Sequence, residues 1–476
     1  MFADAFNIAF KLPNFFRAIF AEGALSAAFV PLFSGKLSTE GKDPALNFAS
    51  NIFAILVISL ITLVLILEIF MPSVVKLIAP GFEHNQEKFT LTTALTHITT
   101  PYIFFISLVT FFSCILNSIG RFAAMAASPI ILNIIMIIGM YFFGTTQPEK
   151  IMVTAWTVAI GGLIQLTVIL FFVIKKKVYP KIIIPKLTYD VRKFFKKLLH
   201  AILGNGILQI NLWIGTIIAT TIPGAVSMIY YSERLIQLPI ALIGVSIGIV
   251  ILPGLSKYFI LKDKEKAVIT QNRAIEIALL LSLPFTVAIF ALAKPIIYVL
   301  FERGAFTAND TISTTMGLLT LAIGIPAYVL SRIITPCFFA AEYTKTPVQI
   351  SMFCLVITVI SYMILVRHIG YIGITLTTSI TSWINVILLI IFAYRKGIFY
   401  FDTLAKIRSL KLILCSVFLY SFLDAISGLS SKFLASSDKV IATGTLTGVI
   451  VVGSLFYLFA LNATKAYSLE DLKEIF

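Results

Sequence analysis

Six charged residues lie within long apolar stretches of the sequence, where a charge is costly and commonly marks a functional site. They are Asp4, Lys11, Arg17, Glu22, Glu233 and Arg234. Guanidinium groups bind phosphate oxygens in pairs and stay charged. Arg17 and Arg234 are therefore candidate ligands for an anionic head group. We assign gating or coupling to the four others, Asp4, Lys11, Glu22 and Glu233.

The spacing of the charges near the N-terminus leaves two interpretations open. At 100° per residue, Asp4, Lys11 and Glu22 fall within roughly 20° of one another on one helix face. That face either lines a cationic cavity or carries an internal salt bridge, such as Asp4 to Lys11, that only holds helices together. For Arg17 and Arg234 the cavity is favoured, because equivalent helices of an internal repeat carry both.

The composition requires a membrane around these charges. Hydrophobic residues make up 59% of the chain, charged residues 12%, and the mean hydropathy is +1.00. A soluble domain has roughly 45–50% hydrophobic residues and roughly 25% charged residues. Unbroken apolar runs such as 52–71 are long enough to span a bilayer as a helix, whereas a barrel would show short alternating strands. The sequence predicts an all-α polytopic membrane protein.

About thirteen spans are predicted, near 3–33, 46–79, 90–117, 124–144, 151–174, 199–222, 225–255, 270–300, 311–340, 347–367, 370–394, 409–428 and 438–461. They divide into an N-lobe, a basic cytoplasmic linker, a C-lobe, and two additional spans with a short tail. The predicted bounds of these four parts are 1–175, 176–198, 199–396 and 405–476.

The net charge of +15 is explained by membrane topology. Lysine and arginine accumulate in alternate loops, which places those loops and the C-terminus in the cytoplasm. No nucleic-acid partner is expected. The four cysteines lie in apolar runs and the histidines are scattered, so neither a disulfide framework nor a metal site is predicted.

An internal repeat relates the two lobes. Four prolines of the first lobe have counterparts in the second at offsets of 222 to 226 residues, namely Pro13 and Pro239, Pro31 and Pro253, Pro72 and Pro295, and Pro101 and Pro326. Six spans separate the matched points, so the sequence predicts two parallel six-helix repeats. The first repeat is one helix short, and we expect that an N-terminal helix was lost by truncation or a miscalled start.

Several motifs resemble the MurJ/MviN family of lipid II flippases. They are Ala3-Asp-Ala-Phe-Asn-Ile-Ala-Phe-Lys-Leu-Pro-Asn-Phe-Phe-Arg17, Ile19-Phe-Ala-Glu-Gly23, Ala79-Pro-Gly-Phe82, Tyr230-Tyr-Ser-Glu-Arg234 and Leu252-Pro-Gly-Leu-Ser256. The resemblance covers essentially the whole chain.

The resemblance implies the multidrug/oligosaccharidyl-lipid/polysaccharide exporter fold, with fourteen helices in two six-helix lobes and a C-terminal pair. It also implies a central cationic cavity that binds the pyrophosphate of lipid II, with Arg17 and Arg234 as cavity arginines. Asp4 and Glu22 fall on motif positions too. Some relatives bind sodium through acidic residues in helices matching 199–222 and 347–367, where this chain has Asn211 but neither Asp nor Glu. No cofactor is expected, and coupling to a monovalent cation stays open.

The predicted function is transfer of lipid II, an undecaprenyl-pyrophosphate-linked muropeptide, from the cytoplasmic to the periplasmic leaflet by alternating access. The protein is expected to be a monomer of the bacterial inner membrane that contacts membrane lipids. The alternatives are a polysaccharide-lipid flippase or a drug/cation antiporter of the same superfamily, and an inactive truncated member. An enzyme acting on polyprenyl phosphates would need clustered metal-binding acids, which the sequence lacks.

Overall fold

Helices account for all the regular secondary structure that this computed structural model describes, which covers residues 1–19, 25–261 and 263–467. Eleven helical segments in that part are long and apolar enough to cross a membrane. Helices suit lipid because each satisfies its own backbone hydrogen bonds. The all-α polytopic prediction is confirmed. The two further predicted spans, 3–33 and 199–222, fall where some residues or side chains lie outside the described part.

The chain forms two compact units, Met1–Ser227 and Met228–Phe476. The first contains α1 (Phe2–Ile19), α2 (Leu25–Thr39), α3 (Lys42–Ile69), α4 (Met71–Ile78), a 3-10 turn (Pro80–Phe82), α5 (Gln86–Thr99), α6 (Tyr102–Ser118), α7 (Ala123–Phe142), α8 (Gln147–Lys175) and α9 (Tyr189–Thr220). It ends in the first turn of α10 (Ala225–Pro239).

Aromatic packing forms the core of the first unit. Phe29 of α2 stacks on Phe33 and Phe48, with ring centroids 5.2 and 5.9 Å apart. It also meets the edge of Phe111 of α6 at 5.2 Å. These rings are buried and belong to one hydrophobic cluster that joins α2, α3 and α6. Such paired rings contribute beyond the area they bury.

Helix α9 packs within the first unit, against α1, α2 and α3. A close approach fixes its end, because a Cβ atom added to Gly81 would lie 2.3 Å from the carbonyl oxygen of Thr220. The Gly81 amide also donates to Thr220 Oγ1 at 3.2 Å. The two units divide after Ser227. The predicted lobe bounds, with a linker over 176–198, stay a prediction. Part of that predicted linker is helical, since α9 begins at Tyr189.

The second unit continues α10 into a π-helical segment (Ile240–Val245) directly after Pro239, whose missing N–H breaks the regular ladder. It then contains α11 (Ser246–Ile260), α12 (Lys264–Phe301), α13 (Ala308–Ala322), α14 (Ile325–Ala340), α15 (Lys345–Ile369), α16 (Tyr371–Arg395), α17 (Thr403–Leu429), α18 (Ser431–Leu434) and α19 (Lys439–Ala463).

The additional C-terminal helices α17 and α19 pack on each other and on α12. A leucine-rich cluster fills the space among the three. The Phe422 and Phe456 rings stack with centroids 3.9 Å apart. At one end, buried Glu276 accepts hydrogen bonds from Arg408 Nη1 at 3.1 Å and from the Tyr467 hydroxyl at 2.7 Å.

One of the four matched proline pairs lies at a helix break in both units. Pro101 lies between α5 and α6, and Pro326 is the second residue of α14, just after the break from α13. The agreement is incomplete, because Pro72 starts the separate helix α4 whereas Pro295 lies inside continuous α12. A proline can begin a helix without losing a hydrogen bond, which explains why it serves as a break point.

Candidate functional site

Asp4 is a buried residue whose two carboxylate oxygens both accept hydrogen bonds. It is 2% exposed on α1. Lys88 Nζ of α5 lies 2.7 Å from Oδ2. Ser227 donates to Oδ1 from its amide at 2.9 Å and from its hydroxyl at 2.5 Å. A buried charge is tolerated only when it is paired and hydrogen-bonded, and Asp4 meets both conditions.

The partners of Asp4 are positioned by local structure. Asn85 caps α5 by accepting from the Lys88 amide at 2.9 Å. The Lys88 ammonium also lies 3.9 Å from the centroid of the Phe82 ring. Ser227 lies in the first turn of α10, where backbone N–H groups lack helical partners and the helix dipole favours an anion. Asp4 therefore links α1, α5 and the start of α10.

The charged stripe on α1 faces the segment 216–227. Lys11 donates to Thr216 of α9, and Asn7 Nδ2 lies 3.5 Å from Ser227 Oγ. The shared face predicted for Asp4 and Lys11 agrees with these contacts. One interpretation of the sequence makes Lys11 the salt-bridge partner of Asp4. The sequence does not identify Lys88, which forms an ion pair with Asp4 in the structure. Glu22, the third member of the predicted stripe, lies outside the described residues.

Arg17 is half-buried near the C-terminal end of α1. Its Nε donates to Asn14 Oδ1 at 3.2 Å, one turn earlier on the same helix. Phe15 meets the edge of Trp213 of α9, with centroids 5.1 Å apart. This aromatic contact holds the end of α1, and Asn14 orients the guanidinium.

Arg234 lies in the second unit, on an exposed face of α10. Its Nη2 donates to the Tyr230 hydroxyl at 2.8 Å, and its Nη1 donates to Gln237 Oε1 at 3.2 Å. The guanidinium carbon lies 4.6 Å from the centroid of the Tyr230 ring. Both hydrogen-bond acceptors are neutral, so these contacts orient the guanidinium without compensating its charge.

Ser232 fixes the opposite face of α10. Its buried hydroxyl donates to the carbonyl of Thr314 in α13 at 2.9 Å. A Cβ atom on Gly317 would lie 3.0 Å from that hydroxyl, so the two helices are in close contact. The side chains of residues i and i+2 of a helix point roughly 200° apart. Anchoring Ser232 to α13 therefore turns Arg234 away from α13. Glu233, between Ser232 and Arg234 in the sequence, is half-buried.

The described residues contain no group of three or more His, Cys, Asp or Glu side chains that could hold a metal ion. The side chain of Asn211, in one of the two helices compared with sodium-binding relatives, lies outside the described part. The described site residues Arg17, Arg234, Asp4 and Lys11 offer hydrogen bonding and charge pairing.

Comparison with known proteins decides the family. The sequence model of the family described as "Lipid II flippase MurJ" matches residues 1–443. The chain belongs to this family. A Rickettsia prowazekii (strain Madrid E) protein named "Probable lipid II flippase MurJ" is 37% identical over 450 residues, which cover 94% of this chain and 88% of that protein.

Solved structures agree with the family assignment. The structure titled "Lipid II flippase MurJ, inward closed conformation" has a TM-score of 0.80 at 28% identity, covering 97% of this chain and 92% of that one. An inward-facing multidrug resistance MATE family transporter of the MOP superfamily has a TM-score of 0.67 at 16% identity, covering 86% and 94%. The second likeness shows a shared fold alone.

Proposed function

We propose that this chain moves lipid II across the bacterial inner membrane, from the cytoplasmic to the periplasmic leaflet, by alternating access. The observation that carries the proposal is the match of residues 1–443 to the lipid II flippase family. The eleven candidate spans fit a multi-pass transporter. The chemistry also requires one, since a pyrophosphate and its sugars cannot cross hydrocarbon unaided, whereas a polyprenyl tail can stay in lipid.

Arg17 and Arg234 are the proposed ligands of the pyrophosphate. Two features support the assignment of Arg234, namely its exposed position and its two neutral hydrogen-bond acceptors. Its planar donor fork matches phosphate geometry better than a lysine would. The assignment of Arg17 is supported by its position on α1 and by its hydrogen bond to Asn14, which orients the guanidinium.

Asp4, Lys11, Glu22 and Glu233 are proposed to gate or couple the movement. Tight binding alone moves nothing, because the ligand must favour one conformation over another. The bonds of Asp4 to Lys88 and Ser227 support a gating role, since they join three helices through one carboxylate. We propose the membrane potential or a monovalent cation as the driving force, a monomeric chain, and a cytoplasmic C-terminus.

The alternatives of a drug/cation antiporter and a polysaccharide-lipid flippase are not favoured by any contact in the described residues. The MATE likeness is 16% identical and extends only to the fold.

Complementation tests the proposal. The full chain is expressed in bacteria depleted of their own lipid II flippase, and lipid II exposed on the outer leaflet is measured. We expect exposure to be restored, and Arg17→Ala or Arg234→Ala to reduce it at equal protein levels. Arg303→Ala is the matched control, because Arg303 is exposed in the turn after α12. Failure of the unmodified chain to restore exposure would overturn the function, and full exposure with both arginine variants would overturn the site.

A further inference from the structure

We propose that residues 175–197 form a docking surface for anionic phospholipid head groups of the membrane that the chain spans, with Ile182 and Ile184 inserted among them. This segment, the strap, runs from the last residue of α8 through the first nine residues of α9 and is predicted to be cytoplasmic. The proposal goes beyond lipid II transfer and does not depend on it.

The strap is strongly basic. Nine of its residues are lysine or arginine and one is acidic. All nine are exposed, namely Lys175, Lys176, Lys177, Lys181, Lys186, Arg192, Lys193, Lys196 and Lys197. The acid, Asp190, lies 2.8 Å from Lys36 Nζ of α2. The hydrogen bonds that the Lys36 ammonium donates to Asp190 and then to Glu40 hold the pKa of Lys36 above its ordinary value. Asp190 therefore already has a cation from outside the strap.

The strap also exposes large apolar side chains. Ile182 is 91% exposed and Ile184 is 88% exposed. Leu187 and Tyr189, farther along, are exposed as well. Single exposed apolar residues are common, but a contiguous group bordered by charge marks an interaction surface.

Backbone contacts fix the strap in this arrangement. The Lys181 amide donates to Ser50 Oγ at 2.9 Å, and the Lys186 amide donates to Asn51 Oδ1 at 2.7 Å. Both acceptors are buried residues of α3. Ile182 and Ile184 lie between these two anchors and still face outward. Their exposure is therefore built into the fold of the first unit.

Position and charge together select lipid as the partner. The strap begins at the last residue of α8, a candidate membrane span, so it starts at the bilayer surface. Basic residues next to a span are attracted to an anionic leaflet. Apolar side chains add affinity by entering the boundary between head groups and acyl chains. The strap has both components in one anchored segment.

A fluorescence measurement on the full chain tests the proposal. Ile184→Cys is labelled with an environment-sensitive fluorophore and placed in nanodiscs of phosphatidylcholine, with or without phosphatidylglycerol. The four native cysteines are buried, so labelling is directed to position 184. We expect a blue-shifted emission, quenched by spin labels on the lipid, only when phosphatidylglycerol is present. High salt should reverse the shift, because screening weakens surface electrostatics.

A matched pair of quadruple variants separates lipid docking from general charge. The first variant replaces four strap lysines with Gln, namely Lys175, Lys176, Lys177 and Lys181. The second variant makes the same replacement at four exposed basic residues of the second unit, namely Lys257, Lys264, Arg395 and Lys396. The first variant should lose the shift and the second should keep it. Identical emission in both lipids, equal loss of the shift in both variants, or a shift that appears only after a soluble protein fraction is added would each overturn the proposal.

Discussion

Asp4 and Arg234 show two ways of placing a charge in a membrane protein. Asp4 is 2% exposed and bonded through both oxygens, to a lysine and to a helix N-terminus. Arg234 is exposed and bonded to two neutral acceptors. Internal bonds thus satisfy the charge of Asp4, whereas at Arg234 they only orient it. We therefore propose that Asp4 maintains a conformation and that Arg234 contacts a ligand.

The largest effect is expected from Asp4→Asn. Lys88 would be left as a buried ammonium without its anion, a change that costs about 3–5 kcal/mol. Thermal unfolding in detergent measures the loss. The double variant Asp4→Asn with Lys88→Met should recover most of it, since neither charge then remains. Additive losses in the double variant would contradict the coupling of these two residues.

Arg234→Gln is expected to weaken lipid II binding with little effect on unfolding. A hydrogen bond to a charged group contributes about 1.5–3 kcal/mol, which corresponds to a roughly ten- to hundred-fold weaker Kd. Binding to the purified chain measures this. Arg395→Gln, at an exposed helix end, serves as the control. An unchanged Kd for Arg234→Gln would remove Arg234 from the site.

Gly81→Ala tests whether the close approach of the 3-10 turn to the end of α9 stabilises the fold. The new Cβ atom would lie 2.3 Å from the Thr220 carbonyl oxygen and force the turn and α9 apart. We expect a loss of about 1–3 kcal/mol in unfolding free energy. Gly35→Ala is the control, because no atom lies within 4 Å of its added Cβ. Equal stability of the two variants would show that the close approach has no energetic role.

Tyr230→Phe should have the smallest effect. It removes the hydroxyl that accepts from Arg234 but keeps the ring beneath the guanidinium. A neutral partner of this kind contributes about 0.5–1.5 kcal/mol, so lipid II binding should weaken about two- to ten-fold. Tyr420→Phe, at an exposed side chain of α17, is the reference. A loss as large as that of Arg234→Gln would mean that Tyr230 itself contacts the ligand.

Much of the architecture can be predicted from the sequence, because lipid imposes long apolar helices and the repeat shows matched prolines. The shared face of Asp4 and Lys11 follows from helical period alone. The proximity of Tyr230 to Arg234 follows in the same way, since residues four apart are neighbours on a helix.

The partners that lie far apart in sequence could not be predicted. Lys88 is 84 residues from Asp4, and Ser227 is 223 residues away. Periodicity describes one helix at a time, so it identifies the face of Asp4 but not what packs against it. The packing of α9 within the first unit has the same origin, because it includes the contact of Gly81 with Thr220, 139 residues farther along the chain.

Lipid II affinity measured side by side for two variants tests the central claim most directly. We expect the double variant Asp4→Asn with Lys88→Met to bind lipid II as tightly as the unmodified chain, because that pair is satisfied internally. We expect Arg234→Gln to bind roughly ten- to hundred-fold more weakly. The reverse pattern, with affinity lost in the double variant and kept in Arg234→Gln, would contradict the assignment of the ligand site to Arg234.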